Sequence, residues 1–351
     1  MGWPDRRVLD SFGIDVPIVQ APMAGSIDAD LVIAVARAGG LGSLPCAMLD
    51  VAQVRSEVAK VRAATAAPIN LNFFCHRPLP VDAAREQAWR ERIAPYYAEL
   101  GVGAASAPAR GRAPFDEAMC ALVVELAPAV VSFHFGLPDA ALVERVRRTG
   151  AKIVSSATTV DEARWLEDRG CDAIVAQGWE AGGHRGHFLR DDVAGQAGTI
   201  SLVPQVVDAV KVPVIAAGGI ADARGIVAAL ALGAAAVQLG TAYLLCPEAK
   251  TSPVHREALL AATDDATLVT NVFTGRPARG IANRLVREVG PMSELAPAFP
   301  RASDAIAPLR ATGNPDFVPL WSGQAAHLAR AMPAGELTTT LAAEALAMLA
   351  R

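Results

Sequence analysis

Residues 214–241 read VIAAGGIADARGIVAALALGAAAVQLGT, and this stretch decides the fold. Val214–Ala217 is a short apolar run of strand length, and Gly218-Gly219 breaks it. Ala223–Leu232 has the spacing and composition of a helix covering a core, and Gly233 stops it at a position suited to a left-handed C-cap. A second apolar run, Ala236–Leu239, ends in Gly240-Thr241. Strand, glycine turn, helix, glycine stop, strand is one βαβ unit, and neither run alternates with polar residues. Both strands are therefore expected to be buried on both faces, as in a parallel sheet covered by helices.

The same rhythm extends outward in both directions. Strands are expected near Pro17–Gln20, Leu41–Leu44, Pro68–Phe73, Val130–His134, Lys152–Ser155 and Ala173–Ala176, preceding the two above. Helical patterns lie at Ala29–Ala38, Val51–Ala63, Asp116–Leu126, Ala140–Thr149, Val160–Arg169 and Ser201–Val210, and an eighth helix near Val254–Ala261 would close the ring. Eight strands in βα alternation suit a parallel (β/α)8 barrel, an α/β fold of the TIM type, better than an open doubly wound sheet. Two segments break the alternation. Residues 76–113 form a Pro/Arg/Ala-rich insertion with one helix around Asp82–Leu100, and residues 262–320 mix short extended and loop signals. The expected division is a barrel over 1–261, an accessory substrate-side segment over 262–320 and a C-terminal helix, from about Ser322, within 321–351. The excursions are expected to form a small accessory layer over the C-terminal mouth of the barrel, without a core of their own.

Composition narrows the function. Hydrophobic residues make up 52% of the 351-residue chain and charged ones 19%, enough for a large core. A net charge of −4, with no Lys/Arg-rich run, argues against a nucleic-acid partner. No signal-peptide-like start or membrane-length apolar run is seen, so a cytoplasmic protein with no membrane partner is expected. Cys46, Cys75, Cys120, Cys171 and Cys246 are scattered, odd in number and without a CxxC pair, as for free thiols.

In a barrel the chemistry sits where strands give way to βα loops. The first strand runs into Gln20-Ala21-Pro22-Met23-Ala24-Gly25, where small residues would let a flat ligand lie against the backbone. Asn70 and Asn72, two apart, share one face of the third strand, and inward amides there imply either a polar ligand or an internal hydrogen-bond network. His134 ends the fourth strand. After the sixth comes Gln177-Gly178-Trp179-Glu180-Ala181-Gly182-Gly183-His184-Arg185-Gly186-His187, whose glycines clear space around one imidazole. His184 and His187 lack a third ligand for a metal site, so no metal is expected. Gly218-Gly219 and Gln238-Leu239-Gly240-Thr241 offer main-chain N–H groups and a hydroxyl to a phosphate. Neither GxGxxG after a first strand nor GxxxxGK[ST] occurs, leaving flavin mononucleotide, a sugar phosphate or a nucleotide as the ligand.

QAPMAG, NLNFF, SFHFG, EAGGHRG, AAGGI and QLGT occur in the order in which nitronate monooxygenases carry them, and the chain resembles class I of that family from about residue 14 to 250, more weakly to its end. The resemblance implies an FMN barrel that oxidises alkyl nitronates such as propionate 3-nitronate with O2, through a flavin semiquinone, to a carbonyl compound and nitrite. It implies that Ala21, Pro22 and Met23 pack on the flavin ring, and that Asn70 or Asn72, Gln177 and Gly182 contact the ring or ribityl chain, with Gly183 beside them. Gly218, Gly219, Gln238, Leu239, Gly240 and Thr241 would hold the phosphate, and Gln324 would reach in from the C-terminal region. His184 matches the catalytic histidine, and with His134 would touch substrate. Phe299-Pro300 stands where the family often has a tyrosine before the proline, which puts one polar substrate contact in doubt. The alternative is an NAD(P)H-dependent FMN reductase of the quinone reductase or enoyl-acyl-carrier-protein reductase type. Monomer and homodimer are both compatible with the sequence.

Overall fold

In the computed structural model, which describes residues 2–103 and 112–351, a single ring of parallel strands organises the chain. Residues 104–111 of the expected insertion lie outside the described residues. The strands are β1 (Ile18–Gln20), β2 (Gly42–Pro45), β3 (Ile69–Phe74), β4 (Val130–His134), β5 (Lys152–Ala157), β6 (Ala173–Gln177), a two-residue β7 (Gly183–His184) outside the ring, β8 (Val214–Ala217) and β9 (Ala236–Leu239). Their order is β1-β9-β8-β6-β5-β4-β3-β2, and a parallel bridge between Val19 and Leu41 joins the ends. Almost every residue of these strands is buried, as the unbroken apolar runs require. The barrel is the α/β fold expected from the βα rhythm.

After a short opening helix, α1 (Arg7–Phe12), the outer helices begin with α2 (Ala29–Arg37) and α3 (Val51–Ala64). The β3–β4 excursion holds α4 (Ala83–Leu100), and then come α5 (Glu117–Leu126), α6 (Ala140–Arg147), α7 (Val160–Asp168), α8 (Thr199–Ala209) and α9 (Ala223–Ala231). Several of their starts follow from side-chain caps. Asp28, Asp50, Asp116, Thr159 and Asp222 each accept a hydrogen bond from a main-chain N–H of the first turn.

Two expectations change. Helix α10 (Pro253–Leu260) forms where the eighth helix was expected, but it packs beside a 3-10 turn at Ala326–Leu328. The outer position between α9 and α2 belongs instead to α13 (Ala334–Leu349), which begins later than Ser322 and buries Leu337, Leu341, Ala342 and Ala345. Thr338 of α13 also hydrogen-bonds the buried Tyr243 hydroxyl at 2.8 Å. Periodicity marks an amphipathic helix but not which groove it fills, so the nearer segment looked like the closure.

The accessory layer does have its own core. Strands β10 (Thr267–Thr270) and β11 (Ala278–Ile281) and helices α11 (Arg284–Val289) and α12 (Ala302–Ala311) form it together with α4. Trp89, Ile93, Tyr96 and Tyr97 from the first excursion interlock with Phe273, Leu285, Ile306, Leu309 and Phe317 from the second. Neither excursion carries enough apolar surface to be read alone as a core; combined they do. All five cysteines are free thiols, four buried and Cys75 partly so. Among the described residues no helix is long and apolar enough to cross a membrane.

Candidate functional site

A cavity opens at the C-terminal ends of the strands, and every barrel strand except β2 contributes to its wall or to the loop leading from it. Ala21, Pro22 and Met23 form one side, and Asn72, His134, Gln177, Gly182, Gly183, His184, Gly218, Gly219, Gln238, Gly240 and Thr241 also line it. Three expected ligand contacts fall outside this lining. Asn70 lies one layer deeper, where its amide donates to Ser43 Oγ (3.0 Å) and Ser132 Oγ (2.8 Å). Leu239 is fully buried in the barrel core. Gln324 lies beside the cavity, and its main-chain N–H donates to the Glu180 carbonyl at 3.0 Å. The two asparagines thus divide the roles left open by the sequence. Asn70 belongs to an internal network, whereas Asn72 donates to Ser132 Oγ (2.9 Å) and still faces the cavity.

The loop after β6 is held from behind. Strand β7 pairs antiparallel with β11, with His184 opposite Ala278. The Gln177 side chain braces the turn at both ends, donating to the His184 carbonyl at 3.0 Å and accepting from Gly186 N–H at 2.7 Å. Arg185 is fully buried and donates to the carbonyls of Gly178 (2.6 Å) and Gln177 (2.9 Å) and to Gln196 Oε1 (2.8 Å). Fixed carbonyl dipoles here stand in for the carboxylate that a buried guanidinium usually requires. Burial, reinforced by nearby Arg279, pulls the Arg185 pKa down to about 9. At Gly182 an added Cβ would lie 2.5 Å from Gly323 N, so the C-terminal segment presses directly on this loop.

The two expected histidines do different things. His184 Nε2 lies 2.9 Å from Thr274 Oγ1, whose hydroxyl is also 3.4 Å from the Arg276 carbonyl. With the threonine hydrogen on that carbonyl, His184 carries its proton on Nε2 and keeps a lone pair on Nδ1. Burial, then Arg112, His134, Arg276 and His76, drive its pKa well below the ordinary value, so the ring is neutral. His134 Nε2 lies 3.2 Å from the His184 carbonyl, which can only accept, and its Nδ1 lies 3.1 Å from Ser156 Oγ. Both nitrogens of His134 are therefore engaged within the protein. Its ring lines the cavity, but the polar substrate contact expected of it has no free nitrogen to make it. Burial lowers its pKa to about 4. Gly186 permits the approach, since a Cβ there would sit 2.9 Å from the His134 ring.

Across the mouth, Gly218 and Gly219 both adopt left-handed backbone, with φ of 115° and 70°. Among the described residues nothing accepts a hydrogen bond from the N–H of Gly219 or Gly240. Thr241 Oγ1 accepts from Gly323 N–H at 2.9 Å, leaving its own hydrogen to donate. The N-terminus of α8 is already occupied, because the Glu180 carboxylate accepts from Thr199 N–H (2.8 Å) and its hydroxyl (2.9 Å). These open donors, beside the flat wall of Ala21–Met23, fit a planar ligand with a phosphate tail, and so fit FMN.

Several lining residues were not singled out from the sequence. Phe74, Arg112, Ser156 and Trp321 line the cavity. Phe299, which the sequence marked as standing at the family's tyrosine position, lies 5.3 Å from the His184 ring. Arg112 and Phe299 come from the two excursions, where no strand period marks a residue as facing the mouth. Among the described residues, no Asp or Glu lines the cavity.

The sequence profile described as nitronate monooxygenase matches residues 6–344. Nitronate monooxygenases of Paraburkholderia phytofirmans and Pseudomonas aeruginosa are each 43% identical, covering 97% and 95% of this chain and 94% and 97% of their own. Among solved structures, nitroalkane oxidase from Streptomyces ansochromogenes superposes with a TM-score of 0.89 at 37% identity, covering 98% of this chain and 99% of its own. FabK from Thermotoga maritima does so with 0.76 at 27%, covering 98% and 97%. Sequence, fold and length agree, and the chain belongs to the nitronate monooxygenase family of enzymes.

Proposed function

We propose that this enzyme oxidises small alkyl nitronates with O2, to a carbonyl compound and nitrite, with FMN held in the barrel mouth. The observation that carries this reading is a neutral imidazole, His184, facing a carboxylate-free cavity across from a set of open N–H donors. The 43% identity to nitronate monooxygenases over nearly the whole chain supports it. FMN, when bound, supplies the electron transfer between nitronate and O2. Gly219, Gly240 and Thr241 would hold its phosphate, and Gln238 and Asn72 would reach its polar edge. Ala21, Pro22 and Met23 would lie against the ring.

The remaining work is positional and electrostatic. His184 lines the substrate space, and its Nδ1 lone pair can remove an α-proton from a neutral nitroalkane. Gln177 and His134 fix the main chain of His184 through its carbonyl. The aromatic wall of Phe74, Phe299 and Trp321 excludes water.

The likeness to FabK favours one second reading, an NAD(P)H-dependent FMN reductase. Purified protein, yellow as isolated, should be mixed anaerobically with propionate 3-nitronate and separately with NADH. Bleaching or a shift of the flavin bands by the nitronate, with none by NADH, is expected. Rapid bleaching by NADH alone would transfer the protein to the reductase reading.

A further inference from the structure

We propose that Arg112 is a specificity-determining residue that recognises a second anionic group, a carboxylate, on the substrate. The inference rests on the mouth being a nitronate site and names the kind of nitronate it favours.

Arg112 lines the same cavity as His184. Its guanidinium carbon lies 5.8 Å from the Phe299 ring centre, and the His184 ring lies 5.3 Å from the same centre. Several other arginines have partners. Arg284, Arg301 and Arg330 hold carboxylates, whereas the buried Arg185 and Arg279 hold carbonyls. Arg112 is partly buried, and among the described residues no carboxylate, carbonyl or hydroxyl pairs with it. Its neighbour in charge is another cation, Arg310; with burial, that pulls the pKa to about 10, still cationic at neutral pH. A desolvated cation without a partner is costly, and an anionic ligand relieves that cost.

The ring order says which anion. Arg112 ends the excursion from β3, and β3 stands four places from β8 in either direction around the ring. It therefore lies across the mouth from the Gly219 donors and cannot serve the same phosphate. The anion must arrive with the substrate. Between Arg112 and His184 the surface is aromatic, supplied by Phe74 and Phe299, and suits a short carbon chain. The fitting class is a nitronate with a carboxylate a few carbons from the nitro group.

The test compares propionate 3-nitronate with propyl-1-nitronate on the holoenzyme, for wild type, Arg112→Met and Arg112→Lys. Arg112→Met should raise KM for the carboxylated substrate about tenfold or more beyond any change it causes for the plain nitronate, as for loss of a charge-assisted contact. Arg112→Lys should recover part of the difference. Quenching of tryptophan fluorescence, for which Trp321 in the cavity is suited, should show the same discrimination between 3-nitropropanoate and 1-nitropropane without turnover. Equal effects on both ligands, or none on either, would overturn the assignment. A wild-type enzyme that turns over neither nitronate would instead remove the proposed function, while the fluorescence titration would still decide whether Arg112 binds a carboxylate.

Discussion

Lowering the pH from 7.5 to 5 should destabilise this protein well before its carboxylates titrate. Burial holds His76, His134 and His255 at about 4 and His187 at about 3, against an ordinary 6.5. A folded-state pKa below the unfolded one means that the unfolded chain binds more protons throughout that window. Stability is therefore full above about pH 6.5 and falls as the pH drops toward 4 and 3. At pH 5 the linkage amounts to about 2 kcal/mol for each histidine, or roughly 8 kcal/mol for the four, against about 5–15 kcal/mol of total stability. No acceptor waits to offset this at His76 Nδ1, His187 Nδ1 or His255 Nε2, which are buried without partners among the described residues. His184 adds to the effect in the same direction. Circular dichroism melts at constant ionic strength should show Tm lower by more than about 10 °C at pH 5 than at 7.5. His255→Gln, outside the cavity, should make that dependence shallower by about one proton. A Tm constant within about 2 °C over the range would refute the buried, neutral assignment of these rings.

Three further outcomes follow from the loop that presents His184. His134→Leu should lower kcat by about tenfold to a hundredfold with KM nearly unchanged, and His134→Gln should recover part of it, because the ring acts through the His184 carbonyl. A raised KM with unchanged kcat would show direct substrate contact instead. Arg185→Met removes the guanidinium that ties the Gln177 and Gly178 carbonyls to Gln196 and should cost about 3 kcal/mol in urea unfolding, together with flavin content; an unchanged midpoint refutes the clamp. Gly182→Ala places a methyl 2.5 Å from main-chain Gly323 N, which cannot rotate away, and should weaken FMN retention at least about tenfold with far-UV dichroism unchanged. Full retention would mean that the C-terminal segment yields.

What the sequence reveals follows from burial. Each ring strand is an apolar run ended by a turn, so β4, β8 and β9 begin and end at the expected residues and the others shift by only a residue or two. The glycine-rich loops are equally legible, because Gly219 and Gly240 stand within two residues of a strand end and His184 sits in the loop that follows β6. Partner choice is less so. Two amides on one strand face do not reveal that Asn70 meets Ser43 and Ser132 while Asn72 reaches the cavity. The tasks of His134, and of Arg112 and Phe299 on the excursions, depend on contacts between distant segments, which no local spacing records.

The helix that completes the barrel is the last element of the chain. Because α13 fills the groove between α2 and α9, the apolar flanks of the first and final βα units stay uncovered until residue 349 has been synthesised. The nascent barrel is therefore open along one seam until α13 has been made, and the accessory layer, encoded before α13, is complete first. A stop codon shortly before Ala334 would leave the catalytic loops intact in sequence, yet yield a polypeptide whose exposed seam invites chaperones, proteases or its own copies.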